Sequence, residues 1–148
     1  MSRIYDPDRE LLSGIYKSMR SGADNLVSVT PKIRDRFMLT NVTSQIEKIG
    51  EFTDKTEKML RSRSLMPREP SRASRLASRG SIAVSTFIDP GRSAVAGLIR
   101  RGSFRGARRL GAVLERCRRE GCDPDAAALC REVIAYRLGE ADRMREFM

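Results

Sequence analysis

The sequence predicts an all-α protein, folded as an up-down four-helix bundle. Apolar residues recur at the spacing of one helix face in four long segments, and no segment of useful length alternates apolar and polar residues as a half-buried strand does. Three of the four segments begin with a capping residue followed by proline. Residues 1–148 are expected to form one domain, with helices at about 7–29, 31–63, 71–120 and 124–147.

The first two helices are predicted from repeated start signals. Asp6-Pro7 places an N-cap residue before a proline at the first helical position, and Thr30-Pro31 repeats that pattern. A helix from Pro31 would follow the first helix after almost no loop, so the two are expected to be antiparallel neighbours. The acids of the second helix fall on its polar side, except that Glu57 approaches the apolar edge.

The third helix is predicted to be broken. It opens near Ser71, and Asp89-Pro90 must interrupt it, because proline lacks the amide donor and clashes with the preceding turn. A continuation from about Ser93 carries small and apolar residues, and Gly102 marks either a second kink or a new helix start.

The last helix has the clearest start. Gly121 is expected to end the preceding helix, and Asp123-Pro124 to begin the next one. Nearby, Cys117, Cys122 and Cys130 form an odd set without Cys-x-x-Cys spacing. Neither a disulfide framework nor a zinc site is therefore predicted, and the redox role of these cysteines stays open.

Charge and hydropathy restrict the partners and the location. The chain has 29 Lys and Arg against 19 Asp and Glu, a net charge of +10, which favours partners such as nucleic acid or an acidic protein. A homo-oligomer is also considered. No apolar run approaches the roughly 20 residues needed to cross a bilayer, and the start lacks the apolar core of a signal peptide. A cytoplasmic location is therefore expected.

Several stretches carry a resemblance to a known family. They are residues 10–19, residues 31–60, residues 85–89 with 101–106, and the Asp123-Pro124 helix start. Together they resemble a family of small bacterial proteins of unassigned function, often described as ferritin-like, over nearly the whole chain. The resemblance implies a ferritin-like four-helix bundle and implies little about activity.

The last helix presents an informative pair in place of metal ligands. Ferritin-like bundles that oxidise iron need inward carboxylates from four helices and a Glu-x-x-His pair on two of them. This sequence has no histidine, and the corresponding inward positions hold Arg137 and Glu140. Either Arg137 extends past the rim and Glu140 is exposed, or the two form a buried ion pair, with the Tyr16 or Tyr136 hydroxyl as a further partner. No catalytic residue, metal or cofactor is predicted.

Arginines cluster in the second half of the chain. On a helical wheel six of them fall within an arc of about 100°, and a helix continuous through Gly102 would carry them as a stripe about 27 Å long. The interpretations are a solvated basic face, a binding site for nucleic acid or another polyanion, and contact with an acidic protein or an anionic membrane. The six residues are Arg101, Arg105, Arg108, Arg109, Arg116 and Arg119.

These observations favour a non-enzymatic bundle without a di-iron site, acting as a structural or protein-interaction module. The first alternative is nonspecific binding of nucleic acid or another polyanion through the stripe at 100–119. The second is a metal-binding oxidase that uses carboxylates alone, since hard cations accept oxygen ligands without histidine.

Overall fold

Four α-helices make up most of the part of the chain that the computed structural model describes, residues 6–67 and 91–148. They are α1 (Pro7–Val29), α2 (Arg36–Ser62), α3 (Arg92–Glu120) and α4 (Pro124–Arg143). Short 3-10 turns follow α1 (Thr30–Lys32) and α4 (Met144–Phe147). These residues include no strand, which agrees with the predicted all-α class. Within them, no helix is both long enough and apolar enough to cross a lipid bilayer.

Two helix starts lie where the sequence predicts them. The Asp6 carboxylate caps α1 by accepting hydrogen bonds from the Asp8 and Arg9 amides at 3.1 and 3.2 Å. At the other boundary, Gly121 ends α3 with a φ of 92°, a left-handed conformation that glycine adopts without a Cβ clash, and α4 starts at Pro124.

The start of α2 differs from the prediction. Thr30-Pro31 forms a 3-10 turn, and the extended backbone of Ile33 ends it. The helix begins five residues after Pro31, at Arg36, because Asp35 supplies the cap and its carboxylate accepts a hydrogen bond from the Met38 amide at 2.9 Å.

The predicted break at Gly102 is wrong, since α3 runs through it without interruption. A glycine inside a helix costs only about 1 kcal/mol relative to alanine. The buried face that passes through Ser103 and Leu110 offsets this cost by packing in the core. The predicted helix at 71–88 and the break at Asp89-Pro90 lie outside the described residues.

The helix directions follow from contacts at the helix ends. Arg92 pairs with Asp35 at 2.9 Å, which joins the starts of α3 and α2, whereas Arg63 at the end of α2 pairs with Asp123 before α4. Asp8 at the start of α1 accepts a hydrogen bond from the Asp123 amide at 2.8 Å. Consequently α1 is parallel to α4 and antiparallel to α3, while α2 and α3 run in the same direction. Strict up-down alternation was expected from the sequence.

The core lies between α1, α2, α3 and α4. Phe52 of α2 is its largest fully buried side chain and meets the Tyr136 ring edge to face, with 5.6 Å between the ring centroids. Few polar side chains are buried with it. Among the described residues, the buried polar or charged side chains are Gln45, Thr56, Ser103, Arg137 and Glu140.

Candidate functional site

An exposed arginine surface runs along α3. We define the α3 arginine surface as the six arginines that the sequence placed on one arc, all of which are exposed. The opposite face of the same helix is buried and includes Leu110, Leu114 and Cys117. The continuity of α3 through Gly102 keeps the six side chains on one helix. They are Arg101, Arg105, Arg108, Arg109, Arg116 and Arg119.

Few carboxylates neutralise this surface. Arg119 approaches Glu115 at 3.6 Å, a pair in which both side chains are more than half exposed. Exposed ion pairs of this kind contribute little to stability, because water and salt screen the attraction. Arg105, Arg108 and Arg109 form no ion pair with a carboxylate of the described residues. The charges of Arg105, Arg108 and Arg109 are therefore available to a partner.

One aromatic side chain lies beside the arginines. The Arg100 guanidinium is 4.8 Å from the centroid of the Phe104 ring, and Phe104 is 36% exposed. Such a cation-π contact holds the ring at the surface, where a planar base can stack on it.

A second feature is a pocket between α1, α3 and α4 that reaches the buried Arg137. Its volume is about 130 Å³. Arg101 and Arg105 line its exposed part, and Arg137, only 6% exposed, lines its inner part. The full lining is Gly22, Asn25, Leu26, Val29, Leu98, Ile99, Arg101, Gly102, Ser103, Arg105 and Arg137.

Glycines on two helices make room for the Arg137 guanidinium. A Cβ atom at Gly22 of α1 would lie 3.1 Å from Nη1, and one at Gly106 of α3 would lie 3.5 Å from Nη2. Burial lowers the pKa of Arg137 below its ordinary value, yet a guanidinium stays protonated at neutral pH. The sequence predicted an inward position for Arg137 but not the space around it, because that space depends on glycines in two other helices.

Glu140 is buried too, but its ion pair is with a different arginine. Arg143 donates to Glu140 Oε1 at 2.7 Å, and the described ion pairs do not include one between Arg137 and Glu140. Burial raises the pKa of Glu140, although Arg143, Asn41 and Arg137 oppose the rise. Burial, with the Glu140 charge, also raises the pKa of Tyr136 to about 12. The structure thus buries both Arg137 and Glu140, but Glu140 pairs with Arg143 and Arg137 lines the pocket.

The cysteines include a cluster that sequence spacing did not reveal. Single donor atoms of Asp8, Cys117 and Cys122 lie within 4.8 Å of one another, a set that could hold a metal ion. Asp8 already accepts hydrogen bonds from the Asp123 amide at 2.8 Å and the Cys117 thiol at 3.9 Å. Burial, reinforced by Cys122 and Asp8, raises the pKa of Cys117 to about 12. The contacts observed for Asp8 join the start of α1 to the turn before α4.

Comparisons with known proteins return no relative. No family model matches the chain, and neither a curated protein nor a solved structure matches it. The function must therefore be inferred from the charges and cavities of this molecule.

Proposed function

We propose that the protein is a non-enzymatic binding module that holds a polyanion, such as nucleic acid, against the α3 arginine surface. The observation that carries this proposal is the set of exposed arginines on one face of a continuous helix, with Arg105, Arg108 and Arg109 free of ion pairs to the described carboxylates. An acidic protein is the competing partner for the same surface.

The dimensions of the surface suit a phosphate backbone. From Arg101 to Arg119 the helix rises about 27 Å, which corresponds to about eight phosphates of one strand at the 3.4 Å axial rise of a duplex. The arginines contact phosphates, which bear no sequence information, so binding is expected to be nonspecific. Phe104 adds one stacking position, which favours single strands.

We also propose that the bundle has a ferritin-like arrangement without a di-iron site. The parallel directions of α2 and α3 support this, because ferritin-like folds contain one long crossover connection, and residues 63–91 join opposite ends of the bundle. The described interior contributes one buried carboxylate, Glu140, already paired with Arg143. That donor set does not favour the carboxylate-only oxidase.

Binding to a generic single-stranded oligonucleotide, measured by fluorescence anisotropy across a salt series, tests the polyanion proposal. The wild-type protein is expected to bind at low salt with log K falling linearly against log salt. The R108Q/R109Q variant should weaken binding. It should also reduce the magnitude of the slope by about 0.7 for each phosphate of a single strand that it no longer neutralises.

A charge-matched control separates a site from general basicity. The R36Q/R131Q variant loses the same charge from exposed positions on α2 and α4, and it should bind nearly as the wild type does. Equal losses of affinity in both variants, or no binding even at low salt, would overturn the polyanion proposal. Binding to an acidic protein but to no oligonucleotide would assign the surface to the competing partner.

A further inference from the structure

The pocket at Arg137 contains a buried cation that has no hydrogen-bond or ion-pair partner among the described residues. Arg137 is 6% exposed, and it forms no hydrogen bond or ion pair with the described residues. Its Nε is fully buried without an acceptor. A buried charge without a hydrogen-bond acceptor opposes folding, because burial removes its hydration and the Coulomb attraction of Glu140 replaces only part of it. The position therefore calls for an anion from outside the chain.

The bundle provides space for this cation, although a smaller or apolar residue at position 137 would avoid the free-energy cost of burying a charge. Gly22 leaves the guanidinium its room, because a Cβ there would lie only 3.1 Å from Nη1, whereas a Cβ at Gly106 would lie 3.5 Å from Nη2, in ordinary van der Waals contact. The same Arg137 lines a pocket that opens past Arg101 and Arg105. The guanidinium is thus held within reach of a ligand that enters there.

The pocket is basic and has polar groups suited to an oxyanion. Three arginines line it, together with Ser103 and Asn25, and none of its lining residues is acidic. Leu26 and Ile99 contribute apolar wall. An anion that enters such a pocket loses water, which strengthens its charge-assisted hydrogen bonds to arginine.

We propose that this pocket binds a small phosphate-bearing ligand, with the phosphoryl group on the buried Arg137 guanidinium. Arg101 and Arg105 balance the charge of the phosphate from the exposed side, and Ser103 lies within the same lining. A phosphate presents more oxygens and up to one more negative charge than a carboxylate, so it fits three guanidinium groups better.

Size sets the class of ligand. The volume of about 130 Å³ is below the roughly 300 Å³ at which pockets for drug-sized molecules begin, and close to the about 150 Å³ of a cavity that admits benzene. Inorganic phosphate or the head of a small phosphate monoester fits, and the rest of a longer monoester would extend past Arg105.

The pocket shares Arg101 and Arg105 with the α3 arginine surface, but the two proposals are tested at different residues. Arg137 does not belong to the α3 arginine surface, and Arg108 and Arg109 do not line the pocket. Variants of Arg137 therefore test the pocket, and R108Q/R109Q tests the surface. Loss of one activity with the other intact would show which proposal fails.

The test uses the full chain and titrates it with inorganic phosphate, methyl phosphate or acetate at constant ionic strength, with thermal unfolding and calorimetry as readouts. We expect saturable binding and a rise in melting temperature with both phosphates, and at least about tenfold weaker binding of acetate. R137M should weaken phosphate binding about tenfold or more, since it removes a charged hydrogen-bond donor. R131M, an exposed change on the same helix, should bind as the wild type does.

A glycine pair keeps the test decisive if R137M folds poorly. Gly22→Ala places a Cβ 3.1 Å from Arg137 Nη1 and leaves every charge in place, whereas a Cβ at Gly111, a residue of α3 that does not line the pocket, meets nothing within 4 Å. Gly22→Ala should weaken phosphate binding and Gly111→Ala should not. Equal phosphate affinity in the wild type, R137M and Gly22→Ala, or equal affinity for acetate and phosphate, would overturn the proposal.

Discussion

Replacing Arg137 with methionine is expected to stabilise the protein in the absence of phosphate. The guanidinium is 6% exposed and has no partner among the described residues. Methionine keeps an unbranched apolar stem in the same place and removes the buried charge. The space vacated adjoins an existing pocket, so the cavity penalty is small.

The magnitude follows from the cost of an unsatisfied buried polar group, about 1–3 kcal/mol and more when the group is charged. R137M should therefore gain about 1–3 kcal/mol in free energy of unfolding. At about 2–4 °C per kcal/mol for a domain near this size, the melting temperature should rise by several degrees.

Urea denaturation in phosphate-free buffer, followed by far-UV circular dichroism, measures this difference. R131M is the control, because an exposed arginine on the same helix should change stability by less than about 0.5 kcal/mol. A loss of more than about 1 kcal/mol in R137M, with R131M unchanged, would refute the reasoning, since it would mean that Arg137 makes favourable contacts in the free protein.

Three further changes test other parts of the structure. Burial raises the pKa of Glu140 above 4.5 in the folded protein, so the contribution of Glu140 to stability is present below that pH and declines as pH rises. The E140Q variant should lose this decline. Parallel curves of unfolding free energy against pH for the wild type and E140Q would contradict the prediction. Cys117 and Cys130, with pKa values of about 12, are about one part in ten thousand thiolate at pH 8. A thiol reagent should therefore modify half-buried Cys122 first, and the C122S variant should lose the fast phase of the reaction. A fast phase that persists in C122S would contradict the burial of Cys117 and Cys130. Gly102→Ala should stabilise α3 by about 0.5–1 kcal/mol, because the helix is continuous and the site is open; destabilisation in a urea titration would favour the break that the sequence suggested.

Local signals in the sequence identified most helix boundaries. The Asp6-Pro7 signal succeeded because Asp6 caps amides only a few positions away. At Asp123-Pro124 the helix also starts as predicted, with proline at its first position, although the Asp123 carboxylate pairs with Arg63 and does not cap the helix. The start of α2 was misplaced because two capping signals, at Thr30 and Asp35, compete within six residues. The break predicted at Gly102 was wrong because tertiary packing outweighs the low helix propensity of a single glycine.

The candidate sites were less predictable, because they depend on contacts between distant residues. The arcs of a helical wheel placed the α3 arginine surface correctly on the exposed side. The pairing of Glu140 with Arg143 rather than Arg137 was not predictable from spacing, since both arginines are three residues away. The surroundings of Arg137 include Gly22 and Gly106, which only the assembled bundle brings together.

Because α2 and α3 run in the same direction, the connection between them needs a minimum number of residues. A helix of 29 residues such as α3 is about 43 Å long, and an extended chain needs roughly 13 residues to cover that distance. Residues 63–91 exceed this requirement more than twofold. Deletions that leave fewer residues than this minimum would force α3 to reverse or to pack on another copy of the molecule.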